Sequence, residues 1–363
     1  MLLSVCIICK NEEACIADCI SALQHLPVNI VVADTGSTDQ TIPILKKKLR
    51  RNDLLCHFDW RNDFSSARNF CALQSKTDWI WVVDADEILT SFDNNALLAF
   101  INNPKNTEKI GTILRRDAYP LQGEMTFATS RMGRIYNRKF YHYEGIIHEQ
   151  LTPEGSNSSL PEAEADRFVD LPLSFNHSGY ETAEILHGKC KRNIVLLKAA
   201  FMQQKDPYTA YQLGQAYSAL GQYETAIQYF ETGLSFDLDP DLEYVQTMVL
   251  SYGYSLLEQK EYQKALSFTG IYNAFAKNAD FVFLMGLIYM NNAMFPKAIA
   301  EFEKATHFKT CTVDGANSYR AHYNIGVILE CTGNIAQAIT SYEACGTFAP
   351  AKERLRICKK DLS

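Results

Sequence analysis

The first ninety residues alternate between short apolar runs and segments with helical periodicity. Four nearly uninterrupted apolar runs lie at 3–8, 30–33, 54–58 and 79–83. A strand that is covered on both faces shows no polar alternation, so these runs predict buried strands. Between them, apolar residues recur at helical spacing in 16–26, from about residue 41, and in 64–73. This alternation of strand and helix predicts βαβ units and a parallel sheet.

From about residue 182 the strands end and a helical pattern repeats. The clearest copy runs from 211 to 230, with related copies at 283–302 and 323–342 and a degenerate copy at 249–268. Small and aromatic residues recur at similar offsets in these copies, which closely matches the tetratricopeptide scheme. The residues that define the clearest copy are Tyr211, Leu213, Gly214, Tyr217, Gly221, Tyr223, Ala226 and Phe230. We therefore predict stacked helical hairpins whose aromatic residues are mostly core.

The two patterns divide the chain, and its 363 residues exceed the usual size of one hydrophobic core. We predict an α/β domain at 1–180, a linking helix at 181–206 and a helical repeat domain at 207–363. Stacked hairpins present a long concave surface, so the repeats are expected to hold a peptide or protein partner or to form a homodimer.

Composition narrows the class of partner. Hydrophobic residues make up 47% and charged residues 21%, which is ordinary for a soluble globular protein. The net charge of −7 gives no overall support for binding nucleic acid. No apolar run approaches the roughly 18 residues needed to span a bilayer. The apolar start at 2–8 lacks a basic leader, which favours a first strand over a signal peptide and predicts a cytoplasmic protein.

The chain has eleven cysteines, several of them inside apolar runs. Cys6 and Cys9 have the spacing of a redox or zinc pair, but no second pair of Cys or His residues follows at zinc-site spacing. Structural thiols are the favoured interpretation, and a metal or redox function is the alternative.

An acidic turn follows the apolar run at 79–83. Asp84 and Asp86 are two positions apart, so they share one face of an extended chain. Open α/β sheets bind ligands at the carboxyl ends of their strands, where Asp84 is expected. Mg²⁺ and Mn²⁺ prefer oxygen ligands, usually one or two carboxylates together with substrate phosphates. The alternative is a solvated acidic turn after a core strand.

Another acidic residue, Asp34, follows the second predicted strand. It is suited to accept a hydrogen bond from a ribose or a base, and plain helix capping is the alternative. No G-x-G-x-x-G pattern follows the first strand, and no Walker A pattern occurs in the chain. Dinucleotide and P-loop sites are therefore disfavoured.

Three segments, at the ends of the first, second and fourth predicted strands, together resemble the signatures of family 2 glycosyltransferases with a GT-A fold. They are IICKNEE at 7–13, VADTGSTD at 32–39 and DADE at 84–87. WRNDFSSARN at 60–69 resembles a subgroup that includes bacterial S-glycosyltransferases of glycocin bacteriocins. The similarity continues through GIIHE at 145–149, NHSGY at 176–180 and KRNI at 191–194, and covers roughly residues 1–200. It implies an α/β GT-A domain (Rossmann-like, with a mostly parallel sheet) followed by an all-α domain of tetratricopeptide-like repeats.

The resemblance implies a metal-dependent, inverting transfer of a sugar from a UDP-sugar. Asp84 and Asp86 would hold Mg²⁺ or Mn²⁺ against the diphosphate, and His177 would complete the metal site unless it is structural. The donor-binding residues implied or proposed are Lys10, Asn11, Glu12, Asp34, Asp63, Arg68, Asp84 and Arg131. Arg134 is a further candidate for the diphosphate, with a solvated strand edge as the alternative for it and for Arg131. Arg68 is expected to pair with Asp84 or with phosphate.

An inverting transferase needs a base that removes the proton of the attacking acceptor group. Glu149 is the favoured base and His148 the second choice, because both follow an apolar pair, Ile146 and Ile147, that predicts a strand. A polar pair at a strand end is the alternative. The acceptor is expected to be a Cys or Ser/Thr side chain of a polypeptide held by the repeats. A saccharide or lipid-linked glycan remains an alternative, as does a non-catalytic scaffold that binds nucleotide.

Overall fold

The computed structural model describes residues 2–121, 124–155, 165–177 and 183–361. The chain divides into two compact units, Met1–Ala200 and Phe201–Ser363. Residues 154–166 are rich in Gly, Ser, Asn, Pro and Glu, which predicts a loop that is either a passive connection or a lid. Most of that segment, 156–164, lies outside the described residues.

The first unit begins with the predicted alternation of strands and helices. Its first elements are β1 (Leu3–Cys9), α1 (Ile16–Leu23), β2 (Asn29–Asp34), α2 (Thr41–Lys48), β3 (Leu54–His57), α3 (Phe64–Leu73) and β4 (Trp79–Val82). The elements that follow are β5 (Glu87–Ser91), α4 (Asn94–Asn102), β6 (Ile110–Leu121), β7 (Glu124–Asn137), β8 (Tyr141–Glu144), β9 (Gln150–Pro153), β10 (Phe168–His177) and α5 (Ala183–Gln203).

Eight strands form one sheet in the order β3-β2-β1-β4-β7-β6-β10-β5, and β8 pairs with β9 separately. The neighbours β3, β2, β1 and β4 are parallel, as predicted. The second half is mixed, because β7 runs antiparallel to both of its neighbours, and β10 is parallel to β6 but antiparallel to β5. These features confirm an α/β domain with a GT-A-like sheet.

Burial on both faces of the sheet explains the unbroken apolar runs. Val5 and Ile7 of β1 face a core formed with α1 and α4, whereas Cys6 faces a second core formed with α3 and β8. Trp81 of β4 is fully buried, and its ring lies 5.6 Å from that of Phe175 on β10. Successive residues of a central strand therefore fill opposite layers.

One predicted strand is wrong. Ile146 and Ile147 lie in a bend between β8 and β9, and β9 begins only at Gln150. Gly145 has φ of +101° and His148 has φ of +54°, so the chain turns at both ends of the apolar pair. The Ile146 carbonyl accepts a hydrogen bond from the Phe64 N–H at 2.8 Å, which ties this bend to the start of α3.

The described part of the second unit contains helices and connecting loops but no strand. Its helices are α6 (Pro207–Ala219), α7 (Tyr223–Leu234), α8 (Glu243–Glu258), α9 (Tyr262–Ala265), α10 (Tyr272–Phe275), α11 (Ala279–Asn291), α12 (Phe295–Thr306), α13 (Tyr319–Cys331), α14 (Ile335–Glu343) and α15 (Ala349–Asp361). No helix in the described parts of the chain combines the length and apolarity that crossing a membrane requires.

Close packing of glycine against an aromatic ring joins the helices of three hairpins. A Cβ atom added to Gly214 of α6 would lie 2.4 Å from the ring of Phe230 on α7. The equivalent pairs are Gly286 with Phe302 and Gly326 with Tyr342. Since only glycine leaves room for the ring, these pairs account for the glycine and aromatic positions of the predicted repeats.

Candidate active site

The acidic turn after β4 is held by two buried arginines. Arg68 of α3 donates from Nη2 to Asp84 Oδ1 at 2.8 Å, and Arg134 of β7 donates from Nη2 to Asp84 Oδ2 at 2.7 Å. Burial opposes ionisation of Asp84, but Arg134 and Arg68 outweigh that effect and hold its pKa well below the usual range. Both oxygens of this carboxylate are thus engaged by guanidinium groups.

Arg68 also connects Asp84 to the candidate base. Its Nε donates to Glu149 Oε1, and its guanidinium carbon lies 5.6 Å from the centre of the Tyr143 ring. The neighbouring His148 has a lowered pKa because burial disfavours its charged form, an effect that Glu149 opposes. The structure thus brings together three predicted site residues, Arg68, Asp84 and Glu149, although they come from separate parts of the chain.

Asp86 forms a second cluster beside Asp84. His177 Nε2 and Lys189 Nζ lie 3.2 Å and 2.8 Å from the same atom, Asp86 Oδ2. His177 reaches Asp86 because β10 places it directly opposite Glu87 in the antiparallel pairing with β5. Burial would raise the pKa of Asp86, but the hydrogen bond with His177 and the charges of His177 and Lys189 lower it to about 2.

The predicted metal ligands are brought together only in part. A carboxylate oxygen and an imidazole nitrogen 3.2 Å apart suit Mn²⁺ or Mg²⁺ when diphosphate oxygens complete the coordination. Asp86 and His177 therefore fit such an ion, whereas both oxygens of Asp84 face arginines. Across the described ranges, no group of three or more His, Cys, Asp or Glu side chains is arranged to hold a metal ion. The metal site remains a prediction.

The loops after β1 and β2 are joined at the carboxyl edge of the sheet. Asn11, in the left-handed conformation with φ of +57°, accepts from the Thr38 N–H through Oδ1 at 2.8 Å. The Glu12 N–H donates to Thr41 Oγ1 at 2.7 Å, and Lys10 is exposed beside them. The predicted donor residues Lys10, Asn11 and Glu12 thus belong to one cross-linked loop pair.

Asp34 organises the second of these loops. Its buried carboxylate accepts from the backbone N–H groups of Gly36 at 3.0 Å and Ser37 at 3.2 Å. The side chain therefore shapes the turn where the sequence predicts contact with a ribose or base. That contact remains a prediction.

Three predicted donor-binding residues have other contacts in the structure. Asp63 caps α3, accepting from the Ser66 N–H at 2.9 Å. Arg131 is half exposed and pairs with Asp170 at 3.1 Å. Arg134 lies in the interior rather than at a solvated strand edge, because it neutralises Asp84 and approaches Glu87 Oε1 at 3.4 Å.

Glu87 and Lys189 were not predicted to act at the site. Glu87 is fully buried, and its Oε2 accepts from the Asp84 N–H at 3.0 Å. This hydrogen bond helps to fix the backbone of the acidic turn. The position of Glu87 within the DADE motif was a usable signal. Lys189 carries no local signal, because α5 lies far along the chain from Asp86.

Comparison with known proteins gives matches in both units of the chain. Residues 4–152 match the family model described as Glycosyl transferase family 2, and residues 208–240 and 319–351 match the tetratricopeptide repeat. The SPbeta prophage-derived glycosyltransferase SunS of Bacillus subtilis (strain 168) is 28% identical over 231 residues, covering 63% of this chain and 52% of SunS. The lipopolysaccharide core biosynthesis glycosyltransferase LpsC of Rhizobium meliloti (strain 1021) is 27% identical over 161 residues, covering 42% of this chain and 58% of LpsC.

The chain thus spans little more than half the length of these two relatives. Among solved structures, that of MamA is similar, with 22% identity, a TM-score of 0.38, and coverage of 46% of this chain and 91% of MamA. The family matches fall on the two compact units that the structure separates. Residues 4–152 in the first unit therefore match glycosyl transferase family 2, and the second unit contains matches to the tetratricopeptide repeat.

Proposed function

We propose that this chain is an inverting glycosyltransferase that moves a sugar from a UDP-sugar to a side chain of a polypeptide. The observation that carries the proposal is the contact of Arg68 with both Asp84 and Glu149. It joins the acidic turn of a family 2 domain to a carboxylate suited to activate an acceptor. A non-catalytic scaffold would not require these charged groups to meet at the ligand-binding edge of the sheet.

The donor site is proposed to lie along the carboxyl ends of β1, β2 and β4. The joined loops at Asn11 and Asp34 would position the nucleoside. Asp86 and His177 would hold Mg²⁺ or Mn²⁺, which as a Lewis acid stabilises the departing diphosphate. Asp84 would hold the acidic turn in place. Arg68 and Arg134, which bind its two oxygens, would limit the repulsion between the Asp84 carboxylate and the phosphates of the donor.

Glu149 would serve as the base. Arg68 engages Oε1, so Oε2 is the oxygen proposed to take the proton of the acceptor thiol or hydroxyl as that group attacks the anomeric carbon. One displacement of this kind forms the new glycosidic bond, breaks the bond to the diphosphate and inverts the anomeric configuration. Arg68 would fix the direction in which Glu149 points.

The proposed acceptor is a Cys or Ser/Thr side chain of a polypeptide, held by the helical repeats. Similarity to SunS and the glycocin-type motif at 60–69 support this choice. A saccharide or lipid-linked glycan is the second candidate, because LpsC is named for lipopolysaccharide core biosynthesis.

The test is incubation of the full chain with Mn²⁺ or Mg²⁺ and a panel of UDP-sugars. Release of UDP identifies the donor, and mass spectrometry of peptides encoded beside the gene identifies the acceptor. Alkali cleaves sugars from Ser or Thr by elimination but spares most thioethers, which distinguishes the two linkages. Saccharide acceptors in parallel reactions test the second candidate.

The metal assignment is tested by Asp86→Asn and by EDTA. Loss of this charge is expected to reduce transfer by about 100-fold or more, the scale seen when electrostatic stabilisation of a transition state is removed. Because Asp86→Asn also removes the ion pairs with His177 and Lys189, circular dichroism must show that the variant is folded at the assay temperature. Normal transfer by chelated protein would show that the metal assignment is wrong.

A further inference from the structure

Helix α5 brings basic side chains to the acidic turn. Lys189 Nζ donates to Asp86 Oδ2 at 2.8 Å, although 103 positions separate the two residues in the sequence. Arg192, one helical turn further, places its guanidinium carbon 5.6 Å from the centre of the Phe64 ring at the start of α3. Residues three apart share a helix face, so both cations lie on the side of α5 that faces the proposed donor site.

Glu12 lies within the reach of the same charges. Burial raises the pKa of Glu12, the charge of Asp86 adds to that shift, and Lys189 and Arg192 oppose it. Glu12 Oε2 accepts a hydrogen bond from Cys15 Sγ at 3.2 Å. The Lys189 ammonium therefore pairs directly with Asp86, beside the imidazole of His177. The nearby Glu12 adds a second carboxyl group to this region.

We infer that Lys189 is a second cation of the donor site, which competes with the divalent metal ion for Asp86 and binds the donor's diphosphate once that ion is present. The inference rests on the proposed function. A metal ion at Asp86 would lie beside the ammonium, and like charges at that distance repel each other. The diphosphate supplies negative charge that both cations can share, and the flexible four-carbon stem of lysine permits the shift between partners.

Two titrations of the full chain test the inference. Calorimetry without nucleotide measures affinity for Mn²⁺, and calorimetry with saturating Mn²⁺ measures affinity for UDP. In Lys189→Met we expect tighter Mn²⁺ binding and weaker UDP binding, each by about fivefold or more, a typical size for coupling between sites. Lys189→Arg keeps the charge and should stay closer to the unaltered chain in both titrations.

Lys191→Met is the matched control, because it removes the same charge from an exposed position about 200° around α5. It should leave both affinities unchanged. Circular dichroism checks that each variant is folded, and Lys189→Gln replaces Lys189→Met if the latter is not.

The outcomes separate the inference from the proposed function. Unchanged or weaker Mn²⁺ binding in Lys189→Met would overturn the competition, and unchanged UDP binding would overturn the diphosphate contact. If Asp86→Asn binds Mn²⁺ as tightly as the unaltered chain, the metal assignment itself fails, whatever Lys189 does.

Discussion

The two units of this chain bury different kinds of side chain. In the first unit, Arg68, Arg134, Glu87 and His177 are charged or titratable groups withdrawn from solvent. In the described part of the second unit, Asp280 is the buried charged side chain, and it caps a loop by accepting from the N–H groups of Thr312 and Val313. The rest of that interior is dominated by alanine, glycine, aliphatic and aromatic residues.

This contrast separates packing from chemistry. Taking an ion pair out of water costs free energy that the attraction between the charges often fails to recover. The cluster around Asp84 is therefore poorly explained as a device for stability, and function is the better reason for it. The glycine–aromatic pairs of the repeats need no such reason, because close apolar packing stabilises each hairpin directly.

The largest expected effect comes from removing the second unit altogether. A chain that ends after Gln203, at the end of α5, should retain slow metal-dependent hydrolysis of the UDP-sugar. Transfer to the polypeptide should fall by about 100-fold or more, because the repeats no longer raise the local concentration of the acceptor. UDP release and peptide mass spectrometry measure the two activities.

The truncated chain must first be shown to be folded, because the cut falls directly at the end of α5. Circular dichroism and UDP binding provide that control. If the folded fragment glycosylates its full-length acceptor as efficiently as the whole chain does, the repeats have another purpose.

The next effect concerns Glu149 within the charged cluster. Glu149→Gln keeps a hydrogen-bond acceptor for Arg68 but removes the base, so turnover should fall by about 100-fold, at the low end of general-base effects. Affinity for the UDP-sugar should stay within a fewfold, since the base acts on the acceptor. Glu144→Gln, on the same hairpin and paired with His142, is the matched control. An equally large loss of donor affinity by calorimetry would assign Glu149 a structural role.

The first half of the sheet could be predicted because its signals are local. Each of β1 to β4 is an apolar run followed by a polar turn, and a parallel arrangement brings those turns to one edge. The repeats were predictable for a similar reason, since Gly214 and Phe230 recur as equivalent pairs. The two family models confirm both interpretations.

The contacts of the site could not be predicted so easily. Arg134 meets Glu87 across 47 positions, and Lys189 meets Asp86 across 103, so both depend on strand order and helix placement rather than on neighbouring residues. The order of His177 in the chain suggested a metal ligand, but its contact with Asp86 follows from β10 pairing with β5. At 146–147, apolar character wrongly predicted a strand, because two left-handed residues decide the local path.

A substitution in the repeats should change stability without changing donor chemistry. This is the opposite of what we expect for Glu149→Gln in the first unit, which should change turnover. The Cβ of Gly214→Ala would press into the Phe230 ring, which should lower the free energy of unfolding by about 1–3 kcal/mol. Hydrolysis of the UDP-sugar should be unchanged below the unfolding transition. Calorimetric or circular dichroism melting measures the first effect, and UDP release measures the second.

Gly188→Ala, within α5, is the control for that substitution. Apart from the adjacent residues and backbone of its own helix, no atom lies within 4 Å of the added Cβ, so alanine should stabilise the helix by about 0.5–1 kcal/mol. Equal destabilisation by the two substitutions would contradict the role assigned to the Phe230 ring.

The last prediction concerns the rates at which cysteines are alkylated, which report whether water enters the interior of the first unit near Asp34. Burial, and then the charge of Asp34, raise the pKa of Cys9, whose Sγ lies 3.9 Å from Asp34 Oδ1. Burial also raises the pKa of Cys71. The thiolate is the reactive form, so neither residue should be alkylated at neutral pH while the chain is folded.

Cys331 is exposed on α13 and should be modified first by iodoacetamide, as peptide mass spectrometry would show. Cys331→Ser should remove this fast phase without changing transfer. Rapid labelling of Cys9 in the folded chain would instead favour the redox alternative for Cys6 and Cys9, and would mean that water enters the first unit beside the loop proposed to hold the nucleoside.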